Sequence, residues 1–357
     1  MDPVTHLLGG ALAGRTLAPA EPPQGRRALA VGALAGLFPD IDFLARFVLD
    51  PLDALNFHRG VTHSLLLMPL WALLVGGLLA RLFRLPVRRV LLITAAGITL
   101  HILLDLITPY GTRILSPWSD QAYTLGTTFV IDPLITLLLA LGLWLALGRR
   151  RRWIGAATFS LVVLVIGGQA LQRQRAEALA AQWAHSRGLA PEQVLALPQP
   201  FSPWNWKLVV TTRDRYWITH LHLGEKDSLL KRLYPRHWPL GGAIHGYRPA
   251  SRARWHEVSR FGPQPSRAQK AWQSPAAAPL RRFARLPAWY DRDAETGCLW
   301  FTDQRFTLPT LRPFFLFAIC PQRAGWSVAR GIPGPRPLAQ TSARPSSRHG
   351  LVGGRMG

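Results

Sequence analysis

The stretch Asn56-Phe57-His58-Arg59-Gly60-Val61-Thr62-His63-Ser64 sets two imidazoles, a guanidinium and two hydroxyls directly before an apolar run that begins at Leu65. Imidazole is the commonest protein metal ligand. His58 and His63 are five apart, so a single helix would point them to different faces. The spacing predicts His58 in a loop, Thr62 near a helix N-cap and His63 in the first helical turn. Two other segments carry related chemistry. Pro39-Asp40-Ile41-Asp42 closes one apolar segment, and His101-Ile102-Leu103-Leu104-Asp105 lies late in another.

His101 and Asp105 share a helix face. Ionisable side chains within a membrane span usually face the bundle interior and carry function, because a charge there is costly. The bland alternative is a packed His–Asp pair that joins two helices. Asp40 and Asp42 in extended or turn backbone would present both carboxylates to one side; an acidic interfacial turn is the alternative. His6 alone is a weak signal and gains weight only from the company of the others. Arg59 can snorkel to headgroups, pair with an acid, or grip a phosphate or carboxylate.

His/Asp ligation without thiolate suits zinc first, with manganese or iron as alternatives. Such an ion lowers the pKa of bound water to about 7. The expected site takes His6, Asp40, Asp42, His58, His63, His101 and Asp105 as ligands, with Arg59 on the anionic group and Asp42 or another carboxylate as general base. The chemistry would be metal-activated water attacking a phosphoester or ester, lipid-linked substrates included.

Of the 357 residues, 48% are hydrophobic and 17% charged, and the apolar ones concentrate before residue 172. The net charge of +23 is carried almost wholly by arginine. It suits contact with an anionic bilayer surface. No recognisable nucleic-acid module is present, so no nucleic-acid partner is expected. Cys298 and Cys320 form no zinc-type pair; they can join in a disulfide if the C-terminal part is extracytoplasmic. Met1-Asp2-Pro3 lacks the basic start of a cleavable signal peptide.

A helical membrane domain is expected over residues 1–172, with four to five spans. Spans are read over 65–83, 90–108, 129–147 and 153–171. The stretch 28–48, which opens with the small-residue segment 28–38 and contains two acids, is the fifth, whereas 4–17 is too short to cross alone. Arginines at 81–89 and 149–152 place those loops in the cytoplasm. Alternation then sets the Asp/His groups near the outer face. An amphipathic helix and linker follow over 173–200. A small β-rich α+β domain, extracytoplasmic on this topology, occupies 201–322. Strands are read at 207–212, 215–223, 298–302 and 314–319, with His220 and His222 taken as a surface feature of one strand. The basic stretch 323–357 is expected to be disordered.

In order, Thr5-His6 with Gly9-Gly10, Pro39-Asp40-Ile41-Asp42, His58-Arg59-Gly60-Val61-Thr62-His63-Ser64, His101-Ile102-Leu103-Leu104-Asp105 and Thr108-Pro109-Tyr110-Gly111-Thr112 resemble the bacterial YdjM/YfhP-type family. The resemblance implies a multi-pass inner-membrane protein of bacteria, described as a metal-dependent hydrolase and, for some members, as binding the LexA repressor. Its membrane part is thought distantly similar to zinc-dependent phospholipase C and the P1-type nucleases, which implies a helical fold with a zinc cluster. The motifs cover residues 1 to about 170 and extend loosely over 201–321. A non-catalytic adaptor for a LexA-like partner, and a metal transporter using the same ligands, are the alternatives. The absence of an evident internal repeat disfavours the transporter.

Overall fold

The computed structural model describes residues 1–17, 24–149 and 152–331. Helices α1 (Pro3–Leu17) and α2 (Gln24–Leu37) lead into a 3-10 segment, Phe38–Phe47. Short α3 (Pro51–Phe57) and the 3-10 turn Val61–His63 precede α4 (Met68–Phe83) and α5 (Val87–Leu106). Helices α6 (Pro133–Arg149) and α7 (Arg152–Ser186) complete this part.

Three helical stretches, Gln24–Phe47, Val87–Leu106 and Arg152–Ser186, are long and apolar enough to cross a membrane. The count is four if Pro51–His63 and Met68–Phe83, bent by 81°, make one broken span. Four to five were expected. The apolar α6 is shorter because Asp132 caps it, accepting from the backbone N–H of Leu134 at 2.9 Å and of Ile135 at 3.1 Å. The residues before Asp132 are thereby left out of the helix. Exposed leucines 70, 74, 78 and 82 recur every fourth position on α4 and form an outward apolar stripe.

α1 and α2 pack almost backbone to backbone. A Cβ on Gly10 would lie 2.2 Å from the Gly32 carbonyl oxygen, and one on Gly36 would lie 2.5 Å from the His6 carbonyl oxygen. Gly10 and Gly14 face Gly32 and Gly36, each pair one turn apart, the small-residue pattern that permits such contact. This contact carries His6 to the C-terminal end of α2, where the acidic segment starts.

The remainder is β-rich. Strands β1 (Gln193–Pro198), β2 (Asn205–Thr211) and β3 (Arg215–His222) form an antiparallel meander, joined on β3 by two-residue β4 (Arg248–Pro249, parallel) and β5 (His256–Ser259, antiparallel). Short helices α8 (Leu229–Leu233), α9 (Gly241–Gly246), α10 (Pro265–Gln273) and α11 (Ala278–Phe283) fill the connections. A second antiparallel sheet follows in the order β6 (Pro287–Arg292), β7 (Leu299–Asp303), β8 (Leu316–Gln322) and β9 (Gly325–Arg330). β1 forms inside the expected linker because its apolar residues bury against β2 and α7. β9 carries the second sheet past the expected end at residue 322; of the basic stretch, residues 332–357 lie outside the described residues. A disulfide joins Cys298 to Cys320. His220 and His222 are not a surface pair. His222 is buried with its Nδ1 2.8 Å from Asn205 Oδ1, and the Nε2 of His220 is buried without a hydrogen-bond partner.

The two parts meet beside the acidic segment. Arg305, just after β7, donates to the Tyr110 carbonyl at 2.8 Å and the Phe283 carbonyl at 2.7 Å, and pairs with Asp303 at 2.7 Å. Leu52 on α3 joins the core built from α10, α11 and the second sheet.

Candidate metal centre

The Asp/His groups predicted from separate segments converge. Asp40, His63, His101 and Asp105 each offer a ligand atom, all within 4.8 Å of one another, and only Asp40 is more than marginally exposed. His63 Nε2 stands 3.0 Å from His101 Nε2, 3.2 Å from Asp105 Oδ2 and 3.7 Å from Asp40 Oδ1. His101 Nε2 is 3.6 Å from Asp40 Oδ1.

The opposite ring nitrogens are committed elsewhere. His101 Nδ1 lies 2.6 Å from the Gly36 carbonyl oxygen, which only accepts, so this nitrogen must carry hydrogen. His63 Nδ1 lies 3.0 Å from Thr62 Oγ1, whose own hydrogen goes to Asp42, and 3.3 Å from Asp42 Oδ2, so this nitrogen too carries hydrogen. If both rings are neutral, both Nε2 lone pairs then point at each other across 3.0 Å. That arrangement repels unless a proton or a cation stands between them. Asp105 Oδ2 is likewise buried without a hydrogen-bond partner. The donor set therefore fits a divalent ion of the zinc, manganese or iron type.

Asp42 and His58 sit one layer out. With Asp40 they form a second possible ligand group. Asp42, however, already takes three hydrogen bonds: from His58 Nδ1 at 2.8 Å, from the Arg59 backbone N–H at 2.9 Å and from the Thr62 hydroxyl at 2.9 Å. Asp42 thus orients His63, as a carboxylate behind a ligating histidine does. The expectation of extended backbone at Asp40 and Asp42 gives way to a 3-10 helix. Its three residues per turn fan alternate side chains apart, sending one acid to each layer. Thr62 also departs from its expected cap role: it lies in a 3-10 turn and donates to Asp42.

His6 stacks on His101 with ring centroids 3.6 Å apart and places Nε2 3.2 Å from Asp105 Oδ1, beside the four-donor set. Arg59, in left-handed backbone at φ 60°, turns its guanidinium inward. It meets Asp105 Oδ1 at 2.7 Å and Thr108 Oγ1 at 2.8 Å, pairing with an acid in place of the expected open grip. The Met1 amino group also contacts Asp105 Oδ1.

Tyr110 was not singled out among the candidate residues. Its ring lies 4.8 Å from the Arg59 guanidinium carbon and 5.5 Å from the His58 ring. Burial pushes its phenol up to about 12, which keeps it a neutral donor to the Leu55 carbonyl at 3.2 Å. The abrupt end of an apolar run at Thr108-Pro109-Tyr110 was the available signal.

Long apolar helices around a buried Asp/His cluster define a polytopic membrane protein with a possible metal-binding site. Residues 1–176 match the profile of the YdjM inner membrane protein family. A protein of Bacillus subtilis (strain 168) described as the uncharacterized protein YfhP is 30% identical over 175 residues, covering 47% of this chain and 52% of that protein. The match thus spans about half the length of each. No solved structure matches the chain.

Proposed function

We propose that the chain is a membrane-bound, metal-dependent hydrolase of phosphoester or ester bonds, with Asp40, His63, His101 and Asp105 as the ligands and zinc as the preferred ion. The two imidazole Nε2 atoms facing each other at 3.0 Å carry this reading. A divalent ion held there would supply a water that ionises at about pH 7. Asp42 fixes the orientation of His63 and, with His58, offers a carboxylate–imidazole pair that would serve as proton acceptor. Arg59 holds Asp105 Oδ1, so that Oδ2 stays turned toward the imidazoles.

We place the β-rich part outside the cytoplasm. The Cys298–Cys320 disulfide supports this, since such bonds persist in oxidising compartments. The arginines between α4 and α5 support it too, being on the side that stays within.

The test measures metal in the purified full-length protein and in His63→Ala and Asp105→Ala, together with chelator-sensitive hydrolysis of a generic phosphodiester. Stoichiometric metal in the wild type, lost in both variants, with turnover that follows the metal, supports the proposal. A metal-free wild type removes its basis. Bound metal without turnover, but with metal flux into proteoliposomes, replaces it with transport.

A further inference from the structure

α7 runs for 35 residues, roughly 52 Å at about 1.5 Å per residue, well beyond the ~30 Å hydrocarbon layer. Its apolar sequence ends at Leu171, and the last turns stand clear of it. Two adjacent stripes organise this free end. Ala176, Ala180 and Ala184 are buried against Trp206, Leu208, Val210 and Leu221 of the first sheet, their small side chains allowing the sheet to approach. One position away, Arg175, Leu179 and Trp183 also recur every fourth residue on one face, and Arg187, just past the helix end, folds over the Trp183 ring.

This second stripe lines two neighbouring cavities that share Leu179. The one nearer the membrane encloses about 370 Å³ and includes Arg175 and Trp204. The farther one encloses about 670 Å³, within the range of small-molecule sites, between α7 and the sheet. Trp183, Trp217 and Trp255 wall it, the rings of Trp183 and Trp255 stacked at 3.9 Å. Leu208 and Leu221 form a fully apolar floor, and Arg187 stands at its rim over the Trp183 ring. Among the described residues no carboxylate lines either cavity.

We propose that this face is a binding site for an anionic membrane amphiphile, a lipid bearing a phosphate headgroup. Its acyl chain lies among the tryptophans of the larger cavity and its phosphate pairs with Arg187. Three features select that occupant. The stripe continues a helix that comes straight out of the apolar layer, so a lipid reaches the cavity along one surface. Tryptophan joins an apolar body to a polar edge and suits the tail–headgroup boundary. Both charged lining residues are arginines, which match phosphate in a bidentate manner.

The site is separate from the metal centre and is tested without reference to it. Full-length protein in neutral detergent is titrated with 11-bromoundecyl phosphate, whose bromine quenches nearby tryptophans; four of the fourteen in the chain line the two cavities. Saturable quenching is expected, weakened at least about tenfold by Arg187→Glu, an exposed position, and independently by Ala253→Phe, which fills the larger cavity. Equal quenching by 11-bromoundecyl trimethylammonium overturns the headgroup assignment. Competition by inorganic phosphate as strong as by dodecyl phosphate makes the site one for a free anion and overturns the lipid. Quenching unchanged in both variants, or never saturating, overturns the site.

Discussion

His101 Nδ1 on α5 lies 2.6 Å from the carbonyl oxygen of Gly36 at the end of α2, two residues joined across 65 positions of chain. The bond fixes which nitrogen of His101 carries hydrogen and leaves Nε2 to face the other donors, as a backbone carbonyl behind a metal-binding histidine does. The close approach of α1 and α2 that places Gly36 is therefore part of the site, not only of the fold.

Gly36→Ala tests that link. Its Cβ would meet the His6 carbonyl oxygen at 2.5 Å, so the helices must separate, at a cost on the order of 1–3 kcal/mol. The variant is expected to melt at lower temperature and to hold less metal. Gly77→Ala, which meets nothing within 4 Å, should match the wild type in both. Thermal unfolding and elemental analysis of the purified proteins check this.

Asp105→Asn keeps the shape of the side chain but withdraws the charge that faces Arg59, leaving a buried guanidinium without its carboxylate. A loss of about 3–5 kcal/mol is expected. Metal content should fall as well. His6→Ala, which removes a ring outside the four-donor set, should retain stoichiometric metal. Loss of metal in His6→Ala to the same degree would place His6 among the ligands.

Arg305→Met cuts the contact between the β-rich part and the loop after α5. The substitution strands the buried Asp303 carboxylate and frees the Tyr110 and Phe283 carbonyls, again at about 3–5 kcal/mol. Hydrogen exchange should quicken across residues 109–128 and α11, while the contact of α1 with α2 stays protected.

Lys207 sets a pH dependence. Burial lowers its ammonium from 10.5 to about 7, against a smaller opposing pull from Asp303. Between those values the unfolded chain binds more protons than the folded one, so stability rises with pH across the window and is lowest below about 7. Above about 7 the side chain is a neutral amine that still donates to the Gln304 carbonyl at 2.7 Å and the Thr307 hydroxyl at 2.6 Å, so Lys207→Met should unfold more readily at high pH while its rise across the window disappears. Denaturant titrations of the full chain from about pH 7 to about pH 10 read the slope.

Reduction of Cys298–Cys320, which closes a loop of sequence separation 22, should lower stability by about 3 kcal/mol. Thiol labelling of protein isolated from membranes without reductant should find both cysteines blocked. Free thiols there would argue against an extracytoplasmic β-rich part.

The sequence by itself determined what is local. The apolar runs, the glycine spacing of α1 and α2, and the pairing of His101 with Asp105 on one helix face all follow from helical period, which neighbouring residues set without the rest of the chain. The residue types of the cluster were legible for the same reason, since acids and imidazoles beside apolar runs are costly and therefore conspicuous. Only the tertiary structure decided which groups meet. Asp40 faces the two imidazoles while Asp42 stands behind one of them, because a 3-10 turn fans apart what a strand would align. Arg59 closes on Asp105 across 46 positions, and Arg305 reaches Tyr110 across 195. Such contacts depend on how helices and sheets pack, and no pattern within a short stretch of chain records that.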